Sequence, residues 1–334
     1  MLVTMLVRLL CLIFHSPNQR INPGMGRQKT CFGRFFVGGI KQMLYQICIN
    51  IFMHIFRNTP KDIWPILYTI TVGLIPFAII SVNLDIIWWI TILPFQAWLI
   101  CNLQNSPLHH HAHWPTFINK KANALYELLL SMISGVTHQS WKWAHHAHHV
   151  HVNDHPLNGK TKDPVSVFAN GKNGKVENFW KFCFRGAVNA MQTNAFHKNS
   201  ISTQFNSTQN NMESLSWIIY CAIIFVVDIK FGLWMILVYF VAHFLNYVTS
   251  YAEHWGVLDR RGDTTQDSVG IYTKWYNWIG FNGGYHQEHH NKPGTHWTKL
   301  PALTPKMHPD RKIVKTMYIF NVPYWSHFKL LFKP

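Results

Sequence analysis

The sequence predicts an all-α integral membrane protein, with four transmembrane helices in two hairpins and a mostly helical cytoplasmic cap that carries a metal site. Three observations predict it. Apolar runs come in two close pairs, Trp64 to Ser81 with Ile86 to Leu103, and Leu215 to Ile229 with Phe231 to Thr249. Only one basic residue, Lys230, falls at the tips of the two pairs. Of the 22 histidines, 11 lie between His109 and His155 and six more between His243 and His296.

Composition points the same way. Charged residues make up 13% of the 334-residue chain, against about 25% in an average soluble domain. Aromatic residues reach 15%, which suits side chains at a membrane interface. The six cysteines include no C-x-x-C pair. That excludes a zinc ribbon or a thioredoxin-like motif, and reduced thiols scattered through helices are expected.

Residues 1–14 have a faint signal-like character, with Arg8 followed by only six apolar residues and no small-residue cleavage site. An unprocessed N-terminus is expected, with Met25 as the alternative start to Met1. Met43 to Phe56 is apolar but broken by Gln46, Asn50 and His54, the pattern of an interfacial amphipathic helix. Residues 1–62 are therefore read as a basic, interfacial segment.

The four spans are placed at about 63–81, 85–103, 214–229 and 231–249. About 20 residues at 1.5 Å each cross the roughly 30 Å hydrocarbon core. The third run is short, so it begins nearer Met212 or thins the bilayer locally. Asn83 and Asp85 mark the first hairpin tip, Asp228 and Lys230 the second. Eight Lys/Arg precede the first hairpin, ten lie between Leu108 and Ser214, 11 follow Ser250, and only Lys230 sits at a tip. The positive-inside rule makes the side with 29 of the 30 cytoplasmic. This accounts for the net charge of +16 without nucleic acid, for which no helix-turn-helix, RNP or zinc-finger pattern speaks. The 104–214 and 250–334 segments are too long for simple loops, so a helical cap is expected; Asn158 to Lys175 reads as an exposed loop. Residues 306–334 form a basic tail.

Three histidine boxes fall on the cytoplasmic side. His109 and His113 are spaced H-x-x-x-H. His145, His148 and His149 form H-x-x-H-H, and so do His286, His289 and His290. On a helix, positions i, i+3 and i+4 share a face, so each box aims two or three imidazoles at one point. Eight nitrogens exceed the needs of one ion of four to six ligands and suit two. His254, about one turn beyond the fourth span, makes nine. An all-imidazole two-metal site beside lipid points to iron and oxygen chemistry.

His110, His111, His146, His151 and His155 are surplus, expected as supporting or surface groups. His243, inside the fourth span, is either a functional group or a hydrogen-bond partner for a neighbouring helix. A ligating imidazole usually donates its other N–H to a carboxylate or carbonyl; Glu253, Glu288, Asp163 and Asp154 are the candidate acceptors. Asn282-Gly283-Gly284 allows a tight turn that swings the third box inward. Trp141, Trp143, Trp255, Trp275 and Trp278 either line a substrate groove or anchor at the interface.

Absences narrow the chemistry. No E-x-x-H occurs, which removes the soluble carboxylate di-iron bundle. Zincin, Walker, G-x-S-x-G and G-x-G-x-x-G motifs are missing as well. Without a recognisable nicotinamide, haem or iron–sulfur module, reducing electrons must come from another protein. A His-rich metal transporter is the competing class, but it would carry its ligands within the spans.

The residues around the third box carry a family resemblance. Phe281-Asn282-Gly283-Gly284-Tyr285-His286-Gln287-Glu288-His289-His290, followed by Pro293-Gly294, His296-Trp297 and Leu300-Pro301, resembles bacterial members of the integral-membrane fatty acid desaturase and hydroxylase superfamily. Ala252-Glu253-His254-Trp255-Gly256 resembles the acyl-CoA desaturase segment that supplies an additional histidine. The resemblance covers roughly Ile63 to Leu303, so residues 63–305 are read as a desaturase-like membrane domain. Asn246-Tyr247-Val248 with Glu253-His254-Trp255-Gly256 also resembles a signature of bacterial alkane monooxygenases, with four residues intervening here. Asp163-Pro164 and Asn178-Phe179-Trp180 resemble that group too, although its members usually have six spans. The first box departs from the family's acidic pattern by having His110 after its first histidine, which leaves the ligand choice within 109–113 open.

The resemblance implies two ferrous ions held by the nine histidines, dioxygen as co-substrate, and a separate ferredoxin-like electron donor. It implies a fatty acyl or lipid substrate entering between the spans and the cap. The expected activity is acyl desaturation; the alternative is hydroxylation of an alkane, fatty acid or other lipid.

Overall fold

A computed structural model describes residues 54–82, 85–154, 161–171, 175–191, 205–254 and 267–307. These all belong to one compact unit, Ile51–Pro334. The expectations for residues 1–53, the alternative start at Met25, His155, Trp255 and the basic tail beyond Met307 lie outside the described residues. Among the described residues, regular structure is helical apart from one antiparallel bridge between Phe56 and Phe117.

A 3-10 turn, Pro60–Asp62, starts the first long helix; the Thr59 hydroxyl accepts from the Lys61 N–H, and Pro60 occupies a position where no N–H is needed. Helix α1, Ile63–Val82, and helix α2, Ile86–Leu103, follow. A π-helical turn, Gln104–Leu108, then opens the chain just before the first box. Pro107 lies in that turn and lacks the N–H that an α-helix would use. Helix α3, His109–His113, carries the first box.

Helix α4, Lys120–Ser134, begins under Asn119, whose Oδ1 accepts from Lys121 N (2.8 Å) and Ala122 N (3.2 Å). It ends at Gly135, which sits at φ 77° in the left-handed region where glycine costs least. A Cβ there would lie 2.8 Å from the Tyr239 ring. Helix α5, His138–His151, holds the second box, and helix α6, Phe179–Met191, follows a loop. Helices α7, Ser207–Val227, and α8, Ile229–His254, make a hairpin joined only by Asp228. Asp228 Oδ1 accepts from Phe231 N at 3.0 Å. Short helices α9, Lys274–Ile279, and α10, His286–Asn291, precede a 3-10 turn, Trp297–Ala302, and helix α11, Thr304–Met307.

Among the described residues, three helices are long and apolar enough to cross a membrane: Pro60–Val82, Ser207–Val227 and Ile229–His254. The sequence predicts four spans; α2, with 18 residues, is the remaining arm. Leu74, Ile90, Phe95, Ile219, Val226 and Leu233 are exposed on these elements. Exposed apolar side chains in such number suit contact with lipid.

Two helices extend beyond the apolar runs read in the sequence. Helix α7 starts at Ser207, ahead of the apolar run, and two polar residues of its first turns, Asn210 and Glu213, are buried. Ser140 Oγ donates to Asn210 Oδ1 at 2.8 Å, and Gln139 N donates to Glu213 Oε2 at 2.9 Å. Helix α8 runs to His254 rather than 249. Its 26 residues measure about 39 Å, longer than the hydrocarbon core, so its last turns reach the histidine boxes. Helix α6 begins just beyond the loop read over Asn158 to Lys175. It buries Phe182, Cys183, Gly186 and Ala187 against α8 and exposes Trp180, Phe184 and Val188.

Helix α8 is the centre of the packing, touching α2, α6 and α7, while α4 lies on α7. Tyr239 OH donates to Ile133 O at 3.2 Å and Tyr220 OH to Gly73 O at 2.8 Å, tying the two hairpins to α4 and to each other. His243 Nδ1 lies 3.0 Å from Gln104 Nε2, and Asn246 Nδ2 donates to Gln104 Oε1 at 2.9 Å. His243 therefore bridges α8 to the π turn, the neighbouring-element role rather than a place among the boxes.

Candidate metal centre

The four elements α3, α5, α8 and α10 each bring histidines to one region, and the helical spacing decides which side chains point inward. His109, His113, His145, His149 and His289 each offer a nitrogen, and these nitrogens all lie within 4.8 Å of one another. His148, His254 and His290 form a second group by the same measure. His286 joins it, with Nε2 at 3.2 Å from His254 Nε2 and its ring 4.4 Å from the His290 ring. The nine histidines singled out in the sequence thus lie in two adjoining groups of five and four.

The Nε2 atoms face each other. His289 Nε2 is 2.9 Å from both His109 Nε2 and His149 Nε2. His145 Nε2 is 2.9 Å from His149 Nε2, and His148 Nε2 is 3.1 Å from His254 Nε2. A neutral imidazole has one N–H and one lone pair, so five nitrogens crowded together cannot all be paired by hydrogen bonds. His113 Nε2 and His290 Nε2 are in fact buried without a hydrogen-bond partner. Two donors set about 2.1 Å from an ion at a right angle lie about 3 Å apart. The observed spacing fits metal ions in both groups.

Burial also sets the charge state. Desolvation, reinforced by neighbouring imidazoles, lowers the His113 pKa to about 2. Desolvation lowers His109 to about 4 against a carbonyl bond that raises it. His145, His149, His286, His289 and His290 are held well below the ordinary histidine range for the same first reason. All seven are neutral at physiological pH, the form that binds a metal.

The outer nitrogens are held by acceptors, not all of them foreseen. His148 Nδ1 lies 2.9 Å from Asp163 Oδ2. The same carboxylate, fully buried, accepts from Asn153 N (2.8 Å) and Val165 N (2.9 Å). Asn153 takes φ 52° to make its bond. His109 Nδ1 faces Asn105 O at 3.2 Å, in the π turn. His254 Nδ1 faces Asp267 O at 3.2 Å; His290 Nδ1 lies 3.5 Å from Asp267 Oδ1 without a hydrogen bond to it. Asp267 was missed because it lies between boxes in a stretch without helical periodicity.

The other expected acceptors go elsewhere. Glu288 Oε1 accepts from Thr304 Oγ (2.6 Å) and Tyr272 OH (3.0 Å). At about 100° per residue it points away from His286 and His290, so it braces α10 against α11. Glu253 Oε2 lies 3.5 Å from His286 Nε2, the inward nitrogen rather than the outer one. Asp154 accepts from Lys162 N (2.9 Å) and Asp163 N (3.2 Å), a loop role. Among the surplus histidines, His110 Nε2 donates to Phe281 O at 3.0 Å, tying the first box to the turn before the third.

That turn is built differently from expectation. The left-handed residues are Phe281 (φ 48°) and Asn282 (φ 61°), not the glycines. Gly284 is required by close approach. Its N–H donates to Asn277 Oδ1 (3.0 Å), its carbonyl accepts from Ile271 N (2.6 Å), and a Cβ would overlap the Ile271 carbonyl oxygen.

A cavity of about 100 Å³ opens beside both groups, lined by His109, His145, His148, His254 and His286 together with Glu253. Trp141, Val136, Ala190 and Tyr247 supply its apolar wall. Of the other tryptophans, Trp278 is 75% exposed, which fits an interface anchor.

Fold and site together define a helical membrane protein with two adjoining polyhistidine clusters able to hold metal. The fatty acid desaturase family model matches residues 86–326, and the chain belongs to that family. It is a membrane oxidoreductase of the desaturase and hydroxylase kind, acting on lipid, in a family that typically carries two irons. No curated protein and no solved structure gives a match.

Asp163→Asn tests the outer bond to His148. The amide keeps the shape but loses the charge that orients the imidazole. Metal affinity should fall about 10–100-fold, read as iron retained after dialysis against a weak chelator. Unchanged retention would remove Asp163 from the site.

Proposed function

We propose that the protein is an O2-dependent di-iron fatty acyl desaturase. The observation that carries the reading is the convergence of nine imidazoles in two adjoining groups beside one cavity. His109, His113, His145, His149 and His289 would hold one ferrous ion, and His148, His254, His286 and His290 the other. Bound there, the two irons supply the reduction of dioxygen and the removal of hydrogen from an unactivated carbon. The balance is one acyl chain, one O2, two electrons and two protons in, and one alkene and two waters out.

The chain's own residues do the rest. Asp163 and the Asp267 carbonyl hold the outer N–H groups of His148 and His254, fixing the rings that face the cavity. Trp141, Val136 and Tyr247 exclude water from the place beside the histidines and give the acyl chain an apolar wall. Glu253, beside His286, is the carboxylate nearest to that space.

The same proposal takes α2 as the fourth span, completing two hairpins within a membrane domain at residues 63–305. It makes the remaining helices a cap on the cytoplasmic face, where 29 of 30 Lys/Arg fall. Helix α6, with its apolar stripe, lies at the interface. The basic face docks a separate acidic electron donor such as a ferredoxin-like protein.

Lipid profiling tests the reaction. The chain, expressed in a desaturase-deficient host, should give new unsaturated acyl chains identified by mass spectrometry. Hydroxylated lipids instead would place it in the hydroxylase branch. With purified protein and an acidic carrier, turnover should fall steeply with added salt; a salt-independent rate would remove the donor docking.

A further inference from the structure

A third cluster of donors lies outside the two histidine groups. His111 sits between His109 and His113, but at about 100° per residue it faces the opposite side of α3. His138 opens α5 two turns before His145. Glu127 lies in the middle of α4, between them. Glu127 Oε1 is 3.7 Å from His111 Nε2 and 3.8 Å from His138 Nδ1. All three donors lie within 4.8 Å of one another.

These distances are too long for hydrogen bonds. The side chains of His111 and His138 are 1% and 0% exposed. His111 Nε2 and both nitrogens of His138 are buried without a hydrogen-bond partner. Buried polar groups are ordinarily paired, so the two orphaned nitrogens that face Glu127, His111 Nε2 and His138 Nδ1, call for a ligand. Ligation through His111 Nε2 takes the tautomer in which Nδ1–H donates to Thr116 Oγ1 at 2.9 Å, rather than the one in which Nδ1 accepts from the Thr116 N–H at 3.3 Å. Gln139 Nε2 donates to the other Glu127 oxygen at 3.5 Å. Donors about 2.1 Å from a four-coordinate ion lie about 3.4 Å apart, close to the spacing seen.

We propose that His111, Glu127 and His138 hold a third metal ion, a divalent zinc-like ion completed by water, separate from the pair held by the nine histidines. Two imidazoles and one carboxylate form a donor set that zinc accepts. Glu127, 17% exposed at its side chain, leaves a path for the ion and its water. The ion clasps α3, α4 and α5. It carries no redox step.

Metal counting on the full chain, expressed with iron and zinc and purified in detergent, tests this. The wild type should hold two irons and one zinc. Glu127→Gln and His138→Asn should each lose the zinc and keep the iron and its Mössbauer spectrum. Full iron without zinc, or zinc retained by both variants, would overturn the clasp. One zinc without iron, lost in both variants, would support the clasp and count against the di-iron reading. Should the variants fail to fold, zinc-edge X-ray absorption on the wild type decides. Two imidazole nitrogens with oxygens support the site, and an all-nitrogen shell overturns it by placing zinc among the nine histidines.

Discussion

His289→Ala should abolish the activity and strip iron from the five-histidine group. His289 Nε2 stands 2.9 Å from both His109 Nε2 and His149 Nε2, so it links the first and second boxes across the site. Losing an outer acceptor already costs about 10–100-fold; losing the donor itself should cost more than about 100-fold in turnover. The measurement pairs iron stoichiometry of the purified variant with the lipid profile of its host. A variant that kept both irons and a tenth of the product would remove His289 from the ligand set.

Gly284→Ala should unmake the third box without touching any histidine. Residue 284 is held from both sides, by Asn277 Oδ1 at its N–H and by the Ile271 N–H at its carbonyl. A Cβ would overlap the Ile271 carbonyl oxygen and lie 2.8 Å from Asn277 Oδ1. Backbone must therefore move just before His286, at a cost of about 2–4 kcal/mol. Thermal unfolding in detergent should shift down, and iron content should fall with it. Gly294→Ala is the matched control. Its added Cβ would come no closer than 4.0 Å to Trp114, so its effect should stay within about 0.5 kcal/mol. Equal losses in the two variants would show that the turn at 281–284 does not position the box.

The two results together would separate ligand chemistry from ligand placement. His289 contributes a nitrogen, whereas Gly284 contributes only room. The same distinction runs through the site. Asp163 was legible because it follows the second box closely, and carboxylates are the usual partners of ligating imidazoles. Asp267 was not, because nothing local marks it; it reaches His254 and His290 only once α8 and α10 are packed side by side. Glu288 shows the converse. Its place inside the third box made it a natural acceptor, yet the helical twist turns it toward Tyr272 and Thr304.

Periodicity and hydropathy are local properties, so the sequence by itself determined the helical membrane class, the spacing of the three boxes and the inward face of each. It also determined the excess of positive charge on one side of the hairpins. The tertiary structure decided what depends on distance between elements. It divided nine histidines into groups of five and four, gave the π turn at Gln104–Leu108 its place before the first box, and drew Glu213 and Asn210 of α7 into buried polar contacts. It also set His111, Glu127 and His138 together from three helices. No pattern announces such a triad, because its members are 16 and 11 residues apart and only packing brings them to one point.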